Sequence, residues 1–143
     1  MENRRIALVT GGGRAISIEL ARSGCSVAVN FSKSEKAAEE AAAEIRSLGG
    51  DSFAVKADVS SAAEVKEMFS AVSSKLGPVE ILVCNAGITK DNLLMRMKED
   101  EWNEVISADL TSLFLCAKEA LRPMLKARWG RVIAISSITG LIG

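Results

Sequence analysis

The sequence predicts an open, doubly wound parallel α/β sheet. Strand-like and helix-like segments alternate along the chain, and most of the strand-like ones are near-continuous apolar runs with no polar alternation. Such runs belong to parallel strands covered on both faces, and the helices between them serve as crossovers. Bulk composition agrees with one globular domain. The chain has 143 residues, 48% hydrophobic and 25% charged, which is enough to bury a core and ordinary for a soluble protein.

Five strands are predicted, at 6–9, 26–31, 52–55, 79–84 and 131–135. A first helix is predicted at roughly 15–22. The second, at 35–48, places Ala37, Ala41, Ile45 and Leu48 on one face; Ser32 with Glu35 offers a capping box, and Gly49-Gly50 ends it. In the third, at 61–76, Val65, Met68, Phe69, Val72 and Leu76 form one apolar stripe. Ser61 and Glu64 make its capping box, and Gly77-Pro78 stops it. A long helical stretch at 99–127 carries Trp102, Ile106, Leu110, Leu113 and Phe114 at helical spacing, and Pro123 inside it predicts a kink or break near Leu121. There is no repeat, low-complexity tract or linker. A nucleotide-binding sheet of this kind usually has at least six strands, so the single predicted domain at 1–143 reads as incomplete, stopping after its fifth strand.

Several functions are excluded. Lys plus Arg and Asp plus Glu are 18 each, a balance that points away from nucleic acid and anionic membranes. No apolar run approaches the roughly 20 residues needed to span a bilayer. Met1-Glu2-Asn3-Arg4-Arg5 has no signal-like apolar stretch or cleavage site, which predicts a cytoplasmic protein. Cys25, Cys84 and Cys116 are odd in number, far apart and in no metal-ligand spacing, so they read as buried reduced thiols. The chain has no histidine and no tyrosine, which removes Ser-His-Asp and Cys-His nucleophilic systems and His-based metal sites.

The positive signal begins at Thr10-Gly11-Gly12-Gly13-Arg14, between the first strand and the first helix. A doubly wound, Rossmann-like fold binds a dinucleotide there, because glycines admit the pyrophosphate and the helix start offers free N–H groups. Against a G-x-G-x-x-G pattern Gly11 and Gly13 match, but Ile16 stands at the third glycine.

With its motifs in place, the chain resembles the short-chain dehydrogenase/reductase family from about Arg5 to its end. That family carries T-G-x-x-x-G-x-G at the glycine turn; here a four-residue Gly-Ile-Gly-Arg-like segment is missing between Arg14 and Ala15. Four residues are close to one helical turn, so the following helix shifts phase by only about 40° and Ile16 and Leu20 still face the sheet. Asp58-Val59 after the third strand matches the family's adenine-holding acid. Cys84-Asn85-Ala86-Gly87 after the fourth matches N-N-A-G, with Cys84 in place of the first Asn. By resemblance, Asn85 steadies the sheet edge while Ala86 and Gly87 let the cofactor ribose pass. Ser136-Ser137-Ile138-Thr139-Gly140 matches the catalytic-serine segment, with Ser137 orienting a substrate carbonyl. Asp109 stands where the family has an asparagine that feeds a proton relay, and the family's Tyr-x-x-x-Lys pair has no counterpart.

Residues 86–97, Ala-Gly-Ile-Thr-Lys-Asp-Asn-Leu-Leu-Met-Arg-Met, are most similar to the 3-oxoacyl-[acyl-carrier-protein] reductases; Leu93, Leu94, Met95 and Met97 could also pack this loop. The resemblance implies NADPH-dependent reduction of 3-oxoacyl thioesters, on acyl-carrier protein or coenzyme A, in fatty-acid synthesis by a homo-oligomer (a tetramer in the family). Arg128 matches a basic residue near the acidic carrier and reads equally well as a solvated surface residue. The second strand ends in Asn30-Phe31-Ser32-Lys33-Ser34 with no acid to bind a ribose 2′-hydroxyl. Lys33 and Arg14 could meet a 2′-phosphate, which favours NADP(H). Two rival readings stay open: an inactive member acting as a nucleotide-binding or subunit-interaction module, and an ordinary enzyme with residues beyond these 143.

Overall fold

The computed structural model describes residues 4–142; Met1, Glu2, Asn3 and Gly143 lie outside them, and with them most of the stretch behind the expectation of no leader. Five parallel strands, β1 (Ile6–Val9), β2 (Ser26–Phe31), β3 (Ser52–Lys56), β4 (Ile81–Cys84) and β5 (Arg131–Ala134), form one sheet in the order β3-β2-β1-β4-β5. Leu8 sits opposite Ala28 on one side and Leu82 on the other. The helices are α1 (Arg14–Arg22), α2 (Glu35–Ser47), α3 (Ala62–Lys75), α4 (Glu99–Val105), α5 (Ser112–Ala127) and the short α6 (Thr139–Ile142).

Strand periodicity divides the core in two. Leu8, Ala28, Leu82 and Cys84 point to one face, where Val65, Met68, Phe69 and Val72 of α3 meet Cys116, Ala120 and Met124 of α5. Ala7, Val9, Val27, Val29 and Val83 point to the other, where they meet Ile18 and Ala21 of α1 and Ala38, Ala41 and Ile45 of α2. Both faces of the central strands are therefore covered, as their apolar runs predict. Ile16 and Leu20 pack partly against the second cluster, so this side of α1 faces the sheet, as expected. The chain runs outward through β1, β2 and β3 and then returns to place β4 beyond β1. This reversal leaves a crevice at the carboxyl ends of β1 and β4.

The structure corrects several expectations. Helix α2 is capped by position at Ser34, not by a Ser32–Glu35 box, and no side chain caps it. Its buried face is Ala38, Ala41, Ala42 and Ile45, while Ala37 and Leu48 are exposed; in an alanine-rich helix the small side chains mark no unique stripe. Only half of the Ser61 box forms. The Ser61 hydroxyl accepts from the Glu64 N–H at 3.4 Å, whereas the Glu64 carboxylate reaches the Asp58 N–H at 2.8 Å.

Helix α5 runs through Pro123 without a break, because Cys116, Ala120 and Met124 on both sides of it are buried against the sheet. The irregularity lies earlier, in a π-helical stretch at Ile106–Thr111 joining α4 to α5. Strand β5 is apolar but exposed throughout, since it is the sheet edge and neither face is covered by the described residues. Leu93, Leu94 and Met95 are exposed rather than packed into their loop.

All three cysteines are free and buried, as expected. Burial raises each thiol above the ordinary 9.0, Cys84 to about 11 and Cys116 to about 12, because a thiolate would lose its hydration. A raised pKa in the folded state adds stability that is present in full below the unfolded value of 9.0. It is lost as pH climbs toward 11 and 12. Thiol labelling at about pH 8 should therefore be slow for all three cysteines in the native protein and rapid in urea. Fast native labelling of Cys116 would contradict this packing.

Candidate functional site

The site grows from two polar residues that tie strand ends together. Asn30, 1% exposed inside the apolar run of β2, accepts from the Gly11 N–H through Oδ1 at 3.2 Å. Its amide Nδ2 donates to the carbonyls of Phe31, Val55 and Ala57 at 3.1–3.3 Å. The Asn30 backbone carbonyl accepts from the Gly12 N–H at 2.7 Å. Thr10, also buried, uses its hydroxyl oxygen to accept from the N–H groups of Asn85 and Ala86, both at 3.1 Å. The Asn85 amide returns to the carbonyls of Thr10 and Gly11 at 3.1 and 3.3 Å. The glycine turn is thereby fixed to the ends of β2 and β4.

Close packing explains two of the glycines. A Cβ on Gly11 would lie 2.5 Å from the Ala86 Cα, and one on Gly13 would lie 2.5 Å from the Val9 Cγ1. Both have positive φ, 69° and 43°, which side chains rarely adopt. The Gly13 N–H donates to the Gly11 carbonyl at 3.1 Å, so all three glycine N–H groups are used inside the turn. The first N–H groups of α1, at Arg14, Ala15 and Ile16, have no acceptor among the described residues. They and the helix dipole make an anion site at the mouth of the turn.

Around this turn lies a cleft of about 780 Å³. Its wall brings together every residue expected from the sequence to hold a cofactor: Gly11, Gly13, Arg14, Ser32, Lys33, Asp58, Val59, Asn85, Ala86 and Gly87. Asp58 Oδ1 accepts from the Ser60 hydroxyl and N–H at 2.6 and 2.9 Å. These bonds, with some help from the charge of Lys33, hold its carboxyl below the usual carboxylate range. Arg14 is paired with Glu44 at 2.6 Å.

A second cleft, of about 880 Å³, shares the Asn85–Ile88 wall and contains Asp109 and Ser137, the two residues expected to be catalytic. Asp109 lies in the π-helical stretch and accepts from the Ile88 N–H at 2.8 Å. The Ser137 hydroxyl pairs with that of Thr139 at 2.8 Å and lies on an exposed segment after β5. Arg128 lines neither cleft; it ends α5 in a left-handed conformation at φ 52°.

Sequence reasoning missed Asn30 as an organiser of the turn, although an asparagine inside an apolar strand was a readable signal. It also missed Glu104, Ser107 and Ala108, which close the far wall of the first cleft and reach it only through the tertiary fold.

A family model described as short chain dehydrogenase matches residues 5–143. The 3-oxoacyl-[acyl-carrier-protein] reductase of Staphylococcus aureus is 47% identical over 147 positions that include 100% of this chain. At least four positions of that relative therefore have no counterpart among the 143 residues, the size of the gap read at the glycine turn. The reductase of the same name from Synechocystis is 43% identical over 97% of the chain. This chain spans 60% and 58% of the lengths of these two relatives. Among solved structures, a double mutant of a Serratia marcescens short-chain dehydrogenase/reductase superposes with a TM-score of 0.79. It is 31% identical, and the match covers 82% of this chain and 50% of that one.

The cleft depends on the Asn30 amide. Asn30→Asp keeps an acceptor for Gly11 but loses the donor to three carbonyls and buries a charge. It should cost roughly 3 kcal/mol or more in urea unfolding, and a loss under about 1 kcal/mol would show that the network contributes little.

Proposed function

We propose that this chain, which belongs to the short-chain dehydrogenase/reductase family, carries the nucleotide and carbonyl clefts of an NADPH-dependent reductase of 3-oxoacyl thioesters. The observation that carries the reading is the convergence of the glycine turn, Asp58 and Asn85–Gly87 on one crevice at the carboxyl ends of β1 and β4. The first-turn N–H groups of α1 would hold the pyrophosphate, Asp58 and Val59 the adenine side, and Ala86 and Gly87 the ribose nearest the second cleft. Lys33 and Ser32, with Arg14 on the same cleft, suit a 2′-phosphate, and residues 30–34 at the end of β2 include no acid to select its absence. The nicotinamide cofactor, when bound, supplies a hydride. In the second cleft the Ser137 hydroxyl would donate to the substrate carbonyl and stabilise charge developing on its oxygen, with Asp109 lining the same cleft.

The substrate reading, a 3-oxoacyl group on acyl-carrier protein, rests on the names of the relatives, and its extension to coenzyme A and to fatty-acid synthesis rests on the resemblance of residues 86–97. Cytoplasmic operation goes with it, and among the described residues no helix is long and apolar enough to cross a membrane. Assembly as a homo-oligomer is supported by the apolar side chains that α4 to α5 leave exposed, Trp102, Leu110, Phe114, Leu121 and Leu125.

A second reading, a nucleotide-binding module without turnover, is favoured by one observation: carbonyl reduction needs a proton donor, and these residues include no tyrosine. One assay addresses both readings. Protein with an intact mass of 15.2 kDa should bind NADPH, seen by a change in nucleotide fluorescence, and should not oxidise it with acetoacetyl-CoA. Turnover at that mass would show that another group donates the proton. Failure to bind either NADPH or NADH would overturn the nucleotide reading itself.

A further inference from the structure

We propose that Glu44, supported by Glu40, sets nucleotide preference by withholding Arg14, so that Lys33 is the cation that distinguishes a phosphorylated from an unphosphorylated ribose. This rests on the first cleft taking a dinucleotide and adds a determinant on α2, outside the cleft wall.

Arg14 is the first residue of α1, on the rim of the cleft and beside the three unpartnered N–H groups. Its guanidinium reaches toward α2, the helix that follows Lys33, so left alone it would add a full positive charge on the side of the cleft where a ribose 2′-phosphate would lie. Instead its guanidinium lies between two carboxylates one turn apart on α2: Nη2 is 2.6 Å from Glu44 Oε2, and Nη1 is 3.8 Å from Glu40 Oε2. Neither glutamate lines the cleft. Two negative charges behind one positive one cancel its attraction for an incoming phosphate. Lys33, on the rim after β2, makes no ion pair among the described residues.

The pairing is strong enough to matter and weak enough to be displaced. The side chains of Arg14, Glu44 and Glu40 are 56%, 35% and 52% exposed, and ion pairs in such surroundings are modest because water screens them. A phosphate offers Arg14 a doubly charged, bidentate alternative. The carboxylates and the phosphate therefore compete for one guanidinium, and the glutamates tune the outcome.

The test measures the dissociation constants of NADPH and NADH for the 143-residue chain and its variants at fixed, low ionic strength. Glu44→Gln keeps the length and helix propensity of the side chain and should raise the preference for NADPH about two- to fivefold, the range of an exposed ion pair. In an Arg14→Ala background the same substitution should change nothing. Lys33→Ala should lower the preference more than Arg14→Ala does. An unchanged preference in Glu44→Gln, or an equal gain without Arg14, would overturn the proposal while leaving the nucleotide reading intact. If neither nucleotide binds the unaltered chain, both fall together.

Discussion

The site depends on one buried amide. Asn30 lies near the end of β2 with both polar atoms of its side chain engaged, and it is the point at which β2, the tail of β3 and the glycine turn are joined. Each of these bonds contributes about 1 kcal/mol net, but a buried partner left unpaired costs more than that. Thr10 performs the matching task between β1 and β4 by receiving two N–H groups on one hydroxyl oxygen. The crevice opens where the strand order reverses, and these two residues tie together the ends of β1, β2, β3 and β4 around it.

That scaffold decides how the glycine turn can act. The turn carries three glycine N–H groups, those of Gly11, Gly12 and Gly13. Here Asn30 takes two of them and the Gly11 carbonyl takes the third. The donors left over belong to the first turn of α1, a helix seated on the sheet through Ser17, Ile18 and Ala21. The same geometry brings Arg14 to the head of the helix, within reach of the acidic face of α2.

Much of this was legible in the chain. Near-continuous apolar strands gave away a covered parallel sheet, and the stripe from Val65 to Val72 is buried as its spacing implies. The cleft residues that follow strands were readable because strand ends converge in a doubly wound fold, whereas Asp109, in the π-helical stretch, was legible only through the family resemblance. Elsewhere local pattern had no power. Alanines at 37, 38, 41 and 42 cannot show which of them faces the sheet, and Pro123 signals a break that tertiary packing overrides. The apolar run of β5 says nothing about whether anything lies over it. Glu104, Ser107 and Ala108 come to the cleft wall from the α4 end and the π-helical stretch that follows it, a placement set by the assembled fold.

Asp109, where the family resemblance leads one to expect an asparagine, shows what an acid and an amide share at this position and what they do not. The Ile88 N–H needs an acceptor oxygen, and an aspartate supplies one as well as an asparagine would. What changes is the rest of the group: an amide donor is lost and a carboxylate is gained. The carboxylate oxygens would lie 3.4 and 3.6 Å from a Cβ at Gly87, in the wall shared by the two clefts. That wall is held by Thr10 on the nucleotide side and by Asp109 on the other. A shift of the strand-end segment at either anchor therefore moves a wall of both clefts, which share this one short stretch of backbone.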